Sequence, residues 1–250
     1  MTNKEMLCTA LKQSALELNC TVDDLTSGKS KAVISSTAEG ARKYLSLPFY
    51  CQLVSYGSGI VASVNEEIYA DAKAYIEKYA PEHCFETPNM LVLQSALERR
   101  GMSACFMAEY WLCDTDAIRP IDCGYELRLL TAEDFAPLYT PQWSNALCEK
   151  RKELDVLGIG AYDGEKLVGL AGCSADCESM WQIGVDVLPE YRRRGIASAV
   201  TGRLAAGKVP FYCCAWSNVA SARNAIRAGF RPAWVELTAK SAEYTADMNK

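Results

Sequence analysis

From Val185 to Ser198 the chain reads Val-Asp-Val-Leu-Pro-Glu-Tyr-Arg-Arg-Arg-Gly-Ile-Ala-Ser, which sets three arginines and a glycine where an apolar strand gives way to a helix start. A helix N-terminus already carries partial positive charge, so cations packed onto it cost roughly 0.3–1 kcal/mol each when nothing compensates. The first amides of a helix have no intrahelical acceptor and make an anion site. Gly195 lets the backbone approach a ligand closely. The chemistry this spacing asks for is the binding of a phosphate or diphosphate. Arg192–Arg194 also read as a solvated surface run. The Gly-x-Ala and the helix that follow favour the anion site.

The elements that must hold this turn in place follow from periodicity and punctuation. Strands are expected over Val156–Tyr162 and Lys166–Ala175, joined by the hairpin signal Asp163-Gly164, and over Met180–Val187. A helix is expected from Gly195 to Ala206, with Ile196, Val200 and Leu204 on one face and Gly207 as its stop. Next come a strand at Pro210–Ala215, a helix at Asn218–Ala228 with Val219, Ala222 and Ile226 on one face, and a strand at Ala233–Ala239. Tyr125–Leu130 alternates as a strand, and Thr131 with Asp134 reads as a helix N-cap pair.

Upstream the pattern is mixed α and β. Helices are expected near Asn3–Leu18, Glu66–Tyr79 and Asn89–Arg100, and strands at Cys51–Tyr56, Ile60–Val64 and Ser103–Leu112. Gly57-Ser58-Gly59 marks a hairpin between the first two strands. Arg119-Pro120-Ile121-Asp122-Cys123-Gly124 is the best linker. Two domains are therefore expected: an N-terminal α/β domain over 1–124, of unassigned role, and a second over 125–250.

The chain has 250 residues, half of them hydrophobic, and a formal net charge of −5. That composition supports a buried core and argues against a nucleic-acid partner, which needs a basic footprint. No apolar run reaches membrane-span length and the N-terminus lacks a secretory pattern, so no membrane is expected and the chain reads as cytoplasmic. Twelve cysteines accompany a single histidine, His83, and no paired C-x-x-C knuckles occur. They read as small buried hydrophobes, with no metal site.

With these elements in order, residues 125–240 resemble the GCN5-related N-acetyltransferases. Arg192, Gly195 and Ala197 match the family's Arg/Gln-x-x-Gly-x-Gly/Ala signature, and Val185–Tyr191 looks like its strand and turn. Trp216–Ser221 followed by Gly229-Phe230 resembles its second cofactor motif. The whole chain loosely resembles zwittermicin-resistance-type members. The resemblance implies an α/β fold with a mixed, mostly antiparallel sheet flanked by helices. It implies acetyl-CoA as donor and a primary amine, here of a small molecule, as acceptor. A protein or peptide acceptor, or a non-catalytic acyl-CoA sensor, are the alternatives, and a homodimer is a further expectation.

The resemblance also implies site roles. The diphosphate would rest on the turn formed by Arg192, Arg193, Arg194, Gly195, Ile196, Ala197 and Ser198. The pantetheine arm would pair with the strand carrying Val185, Asp186 and Val187, which must splay from Pro210–Ala215 to admit it. Asn218 and Ser221 would bond the cofactor from the last helix. Arg223, Arg227 and Arg231 are candidates for its 3′-phosphate. A base must take the acceptor's proton. Asp176, Glu178 and Asp186 lie near the central strands, with Glu178 favoured because it directly precedes one of them. Trp143, in Tyr139–Asn145, reads as an acceptor contact or a packing residue. Many members protonate the leaving thiolate with a tyrosine at the position where this chain has Ala225.

Overall fold

The computed structural model describes residues 1–204 and 208–248. The expected helix stop at Gly207 and the end of that helix at Ala205 and Ala206 lie outside the described residues. The chain forms two compact units, each drawn from separate stretches: Met1–Thr9 with Trp111–Pro232, and Ala10–Tyr110 with Ala233–Lys250. The single boundary expected at 124/125 is thus replaced by an interleaved one. Val235–Thr238 pair with Ser55–Gln52, a contact between distant stretches that no local composition shift announces.

The unit built on Ala10–Tyr110 carries most of α1 (Asn3–Leu18), then α2 (Val22–Thr26), β1 (Lys31–Ile34), β2 (Cys51–Ser55) and β3 (Val61–Val64). It continues through α3 (Tyr69–Lys78), α4 (Thr87–Glu98) and the first part of β4 (Met102–Cys113). Its strands run in the order β1-β3-β2-β10-β4, where β10 is Phe230–Ser241. β2 and β3 are buried along their whole length, as the apolar runs on either side of Gly57-Ser58-Gly59 require. Leu53, Ile68, Ala72, Leu97 and Leu237 belong to one apolar core. Against that core stands a buried ionic cluster. Arg42, 2% exposed, donates to both oxygens of Glu17 (2.7–3.0 Å) and to Glu236 at 3.0 Å.

The other unit holds β5 (Glu126–Thr131), β6 (Asp155–Asp163), β7 (Lys166–Ser174), β8 (Met180–Val187) and β9 (Val209–Ala215), with α5 (Ile196–Leu204) and α6 (Val219–Arg227). These strands run β9-β8-β7-β6-β5. Every pair is antiparallel except β8–β9, which is parallel. The Thr131/Asp134 capping box is present, yet only short 3-10 turns follow it. Pro137 and Pro141 withhold the N–H groups that an α-helix would need there.

α5 buries Ile196, Val200 and Leu204 as expected. α6 turns the other way. Val219 and Ile226 are exposed, while Asn224 and Ala225 face inward. The reason is α5: Asn224 bonds its Ser198 and Thr201, and Gly202 leaves room for the Ala228 carbonyl. Satisfying a buried polar set and a close helix approach outweighs the apolar stripe read from spacing. The last helix of the chain is α7 (Ala242–Asp247).

Candidate functional site

β8 is paired with β7 over six of its eight residues and with β9 over four. It meets β7 from Gly169↔Val187 to Ser174↔Gln182. It meets β9 only from Met180↔Val209 to Ile183↔Tyr212. Beyond Ile183 the parallel register stops, although both strands continue. The strands part after Ile183, the splay that the resemblance implied. Gly184–Val187 therefore have no β9 partner, and apart from the Val187 carbonyl, which accepts from Arg192 Nε, an extended chain can add to such an edge by main-chain hydrogen bonds.

The anion turn lies at the end of that edge. After β8, Pro189–Tyr191 form a 3-10 turn. Arg193 then adopts φ +64° and Gly195 φ +82°. Left-handed residues within a short stretch aim successive amides into a shared concavity. At a non-glycine residue such as Arg193 that conformation is strained, and strain of this kind concentrates at ligand clamps. The Ala199 N–H donates to the Gly195 carbonyl at 3.0 Å, so the Ile196, Ala197 and Ser198 amides stand ahead of the first helical bond. Among the described residues, no amide from Arg193 to Ser198 donates to a backbone carbonyl outside the helix itself. Gly169 on β7 lets the helix settle this low: a Cβ there would overlap the Ile196 side chain.

A cavity of 520 Å³ opens against these amides. Val187, Tyr191, Arg192, Arg193 and the Gly195–Ser198 turn form one part of its wall, and Ala220, Arg223, Asn224 and Arg227 of α6 form another. Four guanidinium-bearing residues and no carboxylate line it, in a chain that is acidic overall. Arg194 does not line it. Its guanidinium donates to the Tyr125 hydroxyl at 2.7 Å and the Glu190 carbonyl at 3.1 Å, and lies over the Tyr191 ring. Arg192 donates through Nε to the Val187 carbonyl at 3.1 Å and so ties the turn to the strand end. Val185, Asp186, Asn218, Ser221 and Arg231 lie outside the cavity wall. Val185 and Asp186 belong to the free edge of β8. Asn218 caps α6 by accepting the Ser221 N–H at 3.1 Å. Asn224, like Tyr191 and Ala220, lines the cavity without having been named as a site residue from the sequence. Its signal was a polar side chain on α6 able to meet Ser198 and Thr201, spaced i, i+3 on α5.

The three carboxylates differ sharply in setting. Asp186 accepts from the Asn145 N–H (2.8 Å), the Asn145 side-chain amide (2.7 Å) and the Ala146 N–H (2.9 Å). Its geometry is that of a residue positioning the 141–147 segment. Asp176 is fully buried and paired with Arg151 at 3.1 Å. Glu178 is exposed in the turn between β7 and β8, at the end of β8 remote from the anion turn. Eight residues of strand separate the two ends, about 25 Å at the usual rise.

The 141–147 segment lies directly on the strands. A Cβ at Gly172 or Gly184 would collide with the carbonyls of Ala146 and Asn145. Trp143 is 2% exposed and packs in a core with Phe135, Leu130 and Leu170, so it is a packing residue. Gly184→Ala is expected to destabilise the unit by about 2 kcal/mol, because backbone rather than a flexible side chain must move. It should also speed proteolysis within 141–147. Limited proteolysis and a urea melt check this; a variant as stable and as resistant as the native chain would refute the packing.

The model of the acetyltransferase (GNAT) family matches residues 124–207. That match covers about a third of the chain. The GNAT segment contains the free β8 edge and the whole anion turn; α6, with Arg223, Asn224 and Arg227, lies beyond it. Among solved structures, the chain is similar to a putative GNAT acetyltransferase from Novosphingobium aromaticivorans, with 20% identity and a TM-score of 0.39 over 56% of this chain. That alignment spans 66% of the Novosphingobium protein, just under two thirds of its length. It is also similar to a GCN5-related N-acetyltransferase from Sphaerobacter thermophilus (15% identity, TM-score 0.46, 74% of this chain and 72% of that one). A GCN5-related N-acetyltransferase-like protein from Streptococcus suis aligns at 17% identity and TM-score 0.41, over 62% and 69% of the two chains. No curated protein matches the sequence. Among the described residues, no group of three or more metal-ligating side chains occurs and no helix is long and apolar enough to cross a membrane.

Proposed function

We propose that the unit carrying the GNAT segment transfers an acetyl group from acetyl-CoA to the primary amine of a small molecule. The observation that carries this reading is the continuity of two features: a free strand edge at Gly184–Val187 runs straight into a turn of unpaired amides beside a four-arginine cavity. A coenzyme A ester has matching parts. Its pyrophosphate suits the amides of Arg193 to Ser198, and its amide-bearing pantetheine arm suits the β8 edge. Arg223 and Arg227, from α6, suit a further phosphate as charge-assisted donors. The reacting carbonyl then falls near the Val185 and Val187 backbone, where an N–H can stabilise the tetrahedral oxyanion. Holding donor and amine together supplies much of the remaining rate. The acidic balance of the chain favours a cationic acceptor.

The test has two arms. Titration calorimetry with acetyl-CoA should give saturable binding, weakened about 100-fold or more in the Arg193→Ala/Arg227→Ala double variant, since each charge-assisted contact contributes on the order of 1.5–3 kcal/mol. Thiol release should then be followed with spermidine, kanamycin, lysine and a lysine-bearing peptide as acceptors. Absence of acetyl-CoA binding would end the reading. Binding without turnover on any amine would favour an acyl-CoA sensor, and turnover on the peptide alone would favour a protein acceptor.

A further inference from the structure

Between β4 and β5 the chain crosses α5 as a strap, and a hollow remains beneath it. At one end the Asp114 N–H donates to the Gly229 carbonyl at 2.8 Å. Ile118 lies so near Gly229 that a Cβ on the glycine would stand 3.0 Å from the Ile118 backbone. At the other end Cys123 comes beside Gly195, with 4.0 Å from its Cβ to one built on that glycine. The Tyr125 hydroxyl then accepts from Arg194 at 2.7 Å. Residues 118–124 are thus pinned at the end of α6 and at the start of α5. Between the pins, among the described residues, no amide from Arg119 to Cys123 donates to a backbone carbonyl. The strap stands off the helix there, and Ala199 and Gly202 of α5 are too small to close the gap.

The hollow measures 430 Å³, a size that takes small molecules. Ile118, Pro120 and Ile121 of the strap and Leu127 of β5 give it an aliphatic wall. Among the described residues, Arg119 and Arg203 are its only charged lining groups, so no carboxylate answers them there. Arg119 uses one nitrogen on the Ile118 carbonyl at 2.6 Å, and neither arginine forms an ion pair among the described residues. A guanidinium pair beside aliphatic surface is complementary to an anionic head on an apolar body. The anion cavity differs in kind, because it adds the open amides of a helix start to its arginines. Here α5 contributes mid-helix residues, whose amides are bonded along the helix. Two side-chain forks are what remains to hold an anion, and a planar fork suits a carboxylate.

We propose that the hollow beneath residues 118–124 is a binding site for a small aliphatic carboxylate. Arg119 and Arg203 hold the carboxylate, and the aliphatic wall covers its chain. The site shares no lining residue with the anion cavity: α5 gives Ile196–Ser198 to one and Ala199, Gly202 and Arg203 to the other. A carboxylate here and a coenzyme A ester at the anion turn can therefore be bound together.

Amide chemical-shift titration of the isotope-labelled full chain tests this, with octanoate and hexanoate as probes and octylamine and inorganic phosphate as controls. Octanoate is expected to bind at about 1 mM or tighter, the range open to about ten non-hydrogen atoms. Hexanoate, two methylenes shorter, should bind about tenfold more weakly, because it buries less apolar surface. Octylamine has the wrong charge and phosphate has no chain, and neither should displace octanoate. Arg119→Gln/Arg203→Gln changes two exposed side chains, so circular dichroism should match native while octanoate affinity falls about tenfold or more. Arg193→Ala/Arg227→Ala should bind octanoate within twofold of native. Four results would each overturn the proposal: no saturable shifts with millimolar octanoate, equal affinity for the two chain lengths, octanoate binding unchanged in Arg119→Gln/Arg203→Gln, or displacement of octanoate by acetyl-CoA. Acetyl transfer at the anion turn stands through all four, since the two sites have separate walls.

Discussion

Gly195→Glu is expected to weaken acetyl-CoA binding by about 100-fold or more while leaving the fold intact. Two effects add. Gly195 has φ +82°, and a side chain held in that left-handed conformation costs about 1–2 kcal/mol. Room is not the obstacle, since an added Cβ would stand 3.9 Å from the nearest atom, Arg227 Nη2. The glutamate carboxylate would instead find the amides of the turn and the arginines beside it, and would occupy the site proposed for a phosphate. Each 1.4 kcal/mol is tenfold in affinity, so strain plus competition readily reaches two orders of magnitude. Gly195→Ala separates them: it keeps the strain, lacks the carboxylate and should lose only about tenfold. Titration calorimetry reads both variants, and circular dichroism confirms the fold. A glutamate variant that binds within threefold of native would mean that the phosphates do not sit at this turn.

The largest expected loss of stability lies in the other unit. Arg42→Met should destabilise it by about 3–5 kcal/mol, the range for removing one member of a buried ionic cluster. Arg42 is the cation between two buried carboxylates, Glu17 and Glu236, and its Nη1 also donates to the Tyr44 hydroxyl at 2.7 Å. Glu236 accepts in addition from Trp234 Nε1 (2.8 Å) and Gln52 (3.3 Å), and Glu17 from Gln13 (2.9 Å). Methionine fills the volume but strands two charges. Adding Glu17→Gln and Glu236→Gln should restore part of the loss, because neutral amides retain acceptors for Trp234, Gln52 and Gln13. Urea denaturation of the three-residue variant against Arg42→Met checks this. Equal midpoints for Arg42→Met and native would show that the cluster contributes nothing.

Much of the fold near the anion turn was legible because its causes are local. Ile196, Val200 and Leu204 bury as their spacing says, and Gly164 at φ +60° forms the turn expected from Asp163-Gly164. The hairpin around Gly57-Ser58-Gly59 forms as antiparallel β2 and β3. Errors arise where distant residues decide. β1, four residues with one buried, gave no pattern to read, and its place comes from parallel pairing with β3. The outward turn of Val219 and Ile226 follows from Asn224 meeting α5, a partner that helical spacing cannot name.

The candidate site divides in the same way. Three arginines before Gly-x-Ala could be read directly, yet two of them line the cavity while Arg194 is drawn off by Tyr125, sixty-nine residues away in sequence. Asp186 looked like a candidate base because it sits in the central strand. Its oxygens are spent on Asn145 and Ala146, which reach it only once the 141–147 segment folds over Gly172 and Gly184.

By itself the sequence determined that a left-handed turn opens a helix after β8, since glycine's access to positive φ and the amides of a helix start are properties of a few consecutive residues. Only tertiary structure decided that β8 and β9 part after Ile183 and that α6 brings Arg223 and Arg227 to the turn. These depend on which strand lies beside which and on how two helices settle against each other, and such contacts are fixed by packing across the whole unit rather than by neighbours along the chain.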